Sequence, residues 1–315
     1  MSAPRKIIVT TDPGQDQAVA LFMLLASPRD FDILGVVATA GNIGLDKTQR
    51  NARQLLELAG RTDVPVYLGS PRPMRRPLVM AEHVHGPNGL DGVDLPEPSM
   101  PLQAQSGVDF IVETLLREPP GSVTLVCLSP LTNLGLALEK EPAIAARMAG
   151  VVMMAGAYFE VGNITPAAEF NVYVDPEAAD IVLRSGAPIT MLPLDVTHRM
   201  LSTRRRLDCF RALGNRCGLA TAGMLSFSEG FDLKKYGWEG APLHGPCVPA
   251  YMLRPELFES RLINVMVETE SALTLGMTVA DWWRITDRPR NVTYVRNGDA
   301  ASYYNLLFET IARLP

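Results

Sequence analysis

The stretch Lys6-Ile-Ile-Val-Thr-Thr-Asp-Pro-Gly-Gln-Asp-Gln-Ala18 decides the fold. An apolar run ends in a turn that carries two carboxylates, Asp12 and Asp16, and a helical pattern follows over Asp16–Leu25. An open parallel sheet presents polar groups in this way, at the carboxyl edge of a strand. Outward from it, short apolar runs recur at Ile33–Thr39, Val64–Leu68, Val123–Leu128, Gly150–Met154 and Ile189–Leu192. Continuous apolar runs are expected of strands covered on both faces. Helical patterns lie between them, at Leu45–Leu58, Asp109–Arg117, Leu131–Glu139 and Pro176–Arg184. The alternation predicts an α/β fold, an open and mainly parallel sheet with helices on both faces and a Rossmann-like core.

Beyond Asp195 the pattern changes. Thr203–Leu213 and Leu219–Phe227 read as helices, Gly230–Gly245 as a Gly- and aromatic-rich loop, and Pro246–Leu253 as a short buried helix. Arg261–Glu268 and Asn291–Val295 read as strands and Ala300–Leu314 as a closing helix. No low-complexity linker and no repeat interrupts residues 1–315, which are read as a single domain. The segment Pro71–Pro101 is rich in Pro, Gly and His and has no periodicity, as binding loops often do.

Composition narrows the function. A net charge of -5 gives no basic field for nucleic acid. No run approaches the roughly 18 apolar residues of a membrane span. Met1-Ser-Ala-Pro-Arg-Lys6 enters the first strand without a signal-peptide apolar region. Cys127, Cys209, Cys217 and Cys247 form no C-x-x-C pair, so free thiols in a reducing cytoplasm are expected.

The strand ends supply Asp12 and Asp16; Asn42; Ser129, Thr132 and Asn133; Met154 with Asn163, Glu169 and Asn171; and Asp195 with His198. Short acids, amides and hydroxyls suit a hydroxyl-rich ligand such as a sugar. The absence of a Gly-rich phosphate loop disfavours phosphorylated ligands. Plain structural roles stand beside each. Asp12 and Asn42 are placed to cap helices, Asp16 to complement a helix dipole, and Glu169 and Asn171, flanking Phe170, to form a solvated strand face. His85 and His244 read equally as loop histidines.

Taken in order, several segments resemble the inosine–uridine preferring nucleoside hydrolase family. The opening turn is similar to its strand–D-x-D-P-G-x-D-D–helix signature. Thr165-Pro-Ala-Ala-Glu-Phe-Asn-Val-Tyr-Val-Asp-Pro-Glu-Ala178 looks like the second signature. Gly41-Asn42, His85-Gly with Gly89-Leu-Asp-Gly92, Pro130-Leu-Thr-Asn133, Leu194-Asp-Val-Thr-His198, Pro242-Leu-His-Gly-Pro246 and Arg288-Pro-Arg-Asn-Val-Thr293 also fit.

The resemblance implies hydrolysis of the N-glycosidic bond of a ribonucleoside, in nucleoside salvage, by a Ca²⁺-dependent homodimer or homotetramer. It implies Asp12 as general base and metal ligand, and His244 as the group that assists the departing base. Asp16, Asn42, Met154, Asn163, Glu169, Phe170 and Asn171 would surround the ribose. Asp12, Gln17 and the Thr132 carbonyl would fall at metal positions. Gln17, Gly245 and Thr10 depart from the pattern, each standing where the family carries an acid; the first two of those acids bind calcium. The alternative expectation is a metal-free protein that binds ribosides without turnover. A silent structural subunit is a third, with nothing in the sequence pointing to it.

Overall fold

The computed structural model describes residues 3–315. In chain order come β1 (Arg5–Thr11), β2 (Phe31–Ala38), β3 (Val66–Leu68), β4 (Leu102–Ser106), β5 (Val123–Cys127), β6 (Met148–Met154) and β7 (Ile189–Leu192). β8 (Leu201–Thr203) and β9 (Gly240–Pro242) form a small antiparallel pair of their own. β10 (Phe258–Val267), β11 (Thr278–Asp281) and β12 (Val292–Gly298) finish the main sheet. Its ten strands run β11-β10-β12-β7-β6-β5-β1-β2-β3-β4. Every pairing is parallel except those β10 makes with β11 and β12. The mainly parallel sheet expected from the sequence is therefore present.

The strand order reverses at β1, with β2, β3 and β4 on one side and β5, β6 and β7 on the other. Connections after β1 and β5 leave in opposite directions, so a crevice opens beyond their carboxyl ends. The turn that carries Asp12 and Asp16 lies there. Side chains of β1 alternate between two cores: Ile7 and Val9 pack on one face, Ile8 on the other. The helix Gln15–Leu25 is buried along all of its length. A helix apolar on every side belongs in the interior of a large domain. Each fully buried Leu, Phe or Met on it contributes roughly 1.5–3 kcal/mol, which anchors the turn that precedes it.

Three sequence expectations are corrected. Gly230–Gly245 is not a loop: the helix Arg216–Tyr236 continues through Gly230, and β9 follows. Asn215 caps that helix by accepting the Gly218 N–H at 2.7 Å, and Gly237, at φ 67, closes it in the left-handed conformation that favours glycine. Glu169 and Asn171 are not on a strand. Glu169 caps the short helix Phe170–Val174 and Asn171 sits in its first turn. Asp12 and Asn42 cap no helix; Gly14 and Gly44 hold those positions. Pro71–Pro101 is irregular apart from one turn of helix, Glu82–His85.

Candidate functional site

Asp12 leaves β1 fully buried. Its Oδ2 accepts the Asn42 backbone N–H at 2.8 Å, and its backbone carbonyl accepts Asn42 Nδ2 at 3.0 Å. The carboxyl ends of β1 and β2 are thus tied together through one Asp–Asn pair. Gly41 makes this approach possible, because a Cβ there would overlap Asp12 Oδ2. Asp12 Oδ1 has no partner among the described residues, nor does the adjacent Thr11 hydroxyl. A buried carboxylate oxygen left free is a place prepared for a water or a ligand hydroxyl. Burial pushes the Asp12 carboxyl well above its usual range, with the Asn42 N–H opposing and Asp16 adding to the rise.

Asp16, at the start of the helix Gln15–Leu25, lines a cavity of about 100 Å³. Its Oδ2 accepts the Gly245 N–H at 2.9 Å, and burial raises its pKa against that bond. The opposite wall comes from the end of β6 and the segment after it. Glu169 accepts the N–H groups of Gly156 (3.0 Å), Asn171 (2.9 Å) and Val172 (3.2 Å). Burial still pushes it up to about 7. Asn171 Nδ2 donates to the Met154 carbonyl at 2.9 Å, and Asn163 Oδ1 accepts the Phe170 N–H at 2.8 Å. Asp16, Gln17, Asn42, Met154, Asn163, Glu169, Phe170, Asn171 and His244 all line this cavity. All seven residues expected around a ribose therefore line one cavity.

The roof is the last part of the helix Arg216–Tyr236, which contributes Phe231, Asp232, Lys235 and Tyr236. Lys235 Nζ donates to the Asn163 carbonyl at 2.5 Å and holds the roof to the wall. Asp232 is pushed up to about 7 by burial. Tyr236 is stacked on Trp238 at 4.4 Å between ring centroids, so Trp238 packs behind the roof. His85 enters from the turn Glu82–His85; burial lowers it to about 4. Its Nδ1 lies 2.5 Å from Gln15 Oε1, which only accepts, so the ring proton is on Nδ1 and Nε2 is left as an acceptor. His244 contacts the Thr197 hydroxyl at 2.8 Å through Nδ1 and is held neutral by burial. Gln15, Asp232 and Lys235 were missed from the sequence, because nothing in a helix start or a presumed loop marked them.

Other strand-end groups face elsewhere. Asp195 accepts the Tyr158 and Phe159 N–H groups and the Tyr294 hydroxyl, a structural role. Ser129 and Asn133 bond to Thr39, and Ser129 also to Thr10, in a belt behind the crevice. A larger groove of about 1010 Å³ lies at the amino ends of β5, β6 and β7, with Asp180 its one acidic lining residue. Converging acids and amides, not size, identify the smaller cavity.

The residues that the resemblance assigns to calcium do not form a cradle. Calcium takes about 6–8 oxygens, with carboxylates supplying the charge. Gln17 Oε1 already accepts Asn42 Nδ2 at 3.1 Å and the Gly14 N–H at 3.2 Å. Gly245 has no side chain and presents an N–H to Asp16. Thr132, whose carbonyl the resemblance assigns, opens the helix Thr132–Lys140 and does not line the cavity. No group of three or more His, Cys, Asp or Glu among the described residues is arranged to hold a metal ion.

The inosine-uridine preferring nucleoside hydrolase family model matches residues 7–305. An uncharacterized protein of Schizosaccharomyces pombe is 48% identical over 98% of this chain and 100% of its own length. The pyrimidine-specific ribonucleoside hydrolase RihA of Photobacterium profundum is 45% identical over 98% of this chain and 99% of its own. Among solved structures, a plant nucleoside hydrolase superposes with a TM-score of 0.91 at 30% identity, covering 98% of this chain and 99% of that one. The purine-preferring ribonucleoside hydrolase of Gardnerella vaginalis gives 0.91 at 30% identity over 98% of each. The chain belongs to the inosine-uridine preferring nucleoside hydrolase family, a class of N-glycosyl hydrolases.

Proposed function

We propose that the crevice beyond β1 hydrolyses the N-glycosidic bond of a ribonucleoside, with Asp12 as general base. The observation that carries this reading is the free Asp12 Oδ1, buried beside a clamp of sugar-binding groups. A water held on Oδ1 gives up its proton to the carboxylate and forms a bond to the anomeric carbon. The bond from that carbon to the base nitrogen breaks, and its electron pair leaves with the base. The transition state resembles an oxocarbenium ion, as in glycoside hydrolysis. Asp16, Asn163, Glu169 and Asn171 hold the ribose hydroxyls, with Asn42, Met154 and Phe170 around the ring. His244, kept neutral by burial, offers the departing base a hydrogen bond.

A cavity of about 100 Å³ is smaller than the ~300 Å³ at which ligand pockets usually begin. The cavity therefore fits the sugar, with the base extending toward Phe231–Tyr236. Pyrimidine ribonucleosides are the first candidates, from the RihA likeness. The same reading includes a salvage role in the cytoplasm and assembly as a homodimer or homotetramer. Exposed Leu273, Val279, Trp283 and Ile285 on and beside the edge strand β11 support self-association.

The test is release of free base and ribose from a panel of ribonucleosides, against Asp12→Asn. Absence of release above that control removes the hydrolase reading. One observation favours a second reading, binding without turnover: Asp12 is wholly buried and does not line the cavity, whereas Asp16 does. Saturable riboside binding with no product favours the second.

A further inference from the structure

We propose that this chain takes its nucleoside without calcium, and that Gln17 and Gly245 act together as the replacement for the ion. The nucleoside half of this rests on the pocket reading above; the calcium half stands on the protein's own bonds. Gln17 Oε1 is occupied twice, by Asn42 Nδ2 and by the Gly14 N–H. An amide has one oxygen and one NH₂, so what Gln17 has left to offer is donors, which a cation repels. Gly245 turns its backbone N–H onto Asp16 Oδ2 at 2.9 Å. That donor fixes the Asp16 carboxylate and partly offsets the effect of its burial.

The two substitutions meet on adjacent residues of one turn. Gly245 holds Asp16, and Gln17 holds Asn42, which in turn holds Asp12. Both acids are thereby positioned by protein donors alone. The bare α-carbon at 245 matters too: a Cβ there would sit 3.2 Å from the Asp16 carbonyl oxygen and 3.3 Å from Oδ2, which forces the neighbour to give. Of the side chains at the positions expected to face the metal, Asp12 alone carries a charge, where calcium relies on carboxylates to supply it.

The test uses the full-length protein after exhaustive EDTA treatment, with calorimetry and thermal unfolding as readouts. Millimolar calcium should leave the wild-type melting temperature unchanged and give no binding heat. Uridine or cytidine affinity should agree within about twofold with EDTA and with calcium, since a ligand that does not bind shifts nothing. In the double variant Gln17→Asp with Gly245→Asp, calcium should raise the melting temperature and tighten uridine binding roughly tenfold or more. Wild-type protein that calcium stabilises, or whose uridine affinity collapses in EDTA, overturns the proposal. If the double variant does not fold, the wild-type arms decide by themselves. If wild type ignores calcium and binds no nucleoside in either condition, the pocket reading fails while the exclusion of calcium stands.

Discussion

Asp12 is bonded on one oxygen and open on the other, and that asymmetry is what a base needs. Asp12→Asn should lower release of free base by ~10²–10⁴-fold while uridine affinity stays close to that of wild type. Undiminished turnover would remove Asp12 from that role. Gly41→Ala tests the approach behind it. The added methyl would overlap Asp12 Oδ2 and come within 3.0 Å of Pro130 Cδ. The expected cost is about 1–3 kcal/mol in denaturant unfolding, with activity lost alongside. Glu169 carries a pH dependence of definite sign. Burial moves it from 4.5 to about 7, so the folded chain keeps a proton that the unfolded chain releases above 4.5. Its contribution to stability is full below that value and is lost as pH rises to about 7. Relative to Glu169→Gln, wild type should lose up to about 3 kcal/mol across this window, read by denaturation at both ends.

Among the elements, the helix Pro176–Arg184 shows how the site is held from behind. Asp175 caps it through the Ala178 N–H at 3.1 Å, and accepts the Thr132 hydroxyl at 2.6 Å and the Met74 N–H at 2.9 Å. Asp175→Ala should cost about 2–4 kcal/mol, a lost cap plus donors left unpaired, measurable as a fall in denaturation midpoint. The same helix was legible in the sequence from Pro176 to Arg184, as was Leu45–Leu58, because amphipathic periodicity and clear end signals agree there. The turn after β1 was legible for a different reason: an apolar run, an Asp-Pro-Gly and a second acid leave little choice of geometry. The roof was not. Gly230, Gly237 and Gly240 read as breakers, but packing carries the helix past the first of them and only Gly237 ends it. Asp232 and Lys235 were hidden with it. Glu169 and Asn171 stood out as polar groups after the β6 strand end as well as through the resemblance, while their alternation with Phe170 suggested a strand face. A capping carboxylate overrode that pattern.

At the scale of the whole molecule, one edge of the ten-stranded sheet ends at β11, where Leu273 and Ile285 are 84% exposed and Trp283 is 74% exposed. Apolar surface beside an open strand edge invites another chain. Sedimentation of wild type should show a dimer or larger species, and Trp283→Glu with Ile285→Glu should shift it toward monomer without loss of fold; a wild-type monomer would end that reading. The crevice at the strand reversal has a further consequence. An aspartate at Gln17 alone would draw the acceptor of Asn42 Nδ2 and the Gly14 N–H back by one methylene and put a third buried carboxyl beside Asp12 and Asp16. An acid at Gly245 alone would crowd Asp16 with a like charge. Either single step loses stability before a second step can recruit an ion to repay it. The two positions are therefore coupled: an acid introduced at either one alone is expected to give a weaker protein than the present chain, and only the pair together would offer a cation two new carboxylates.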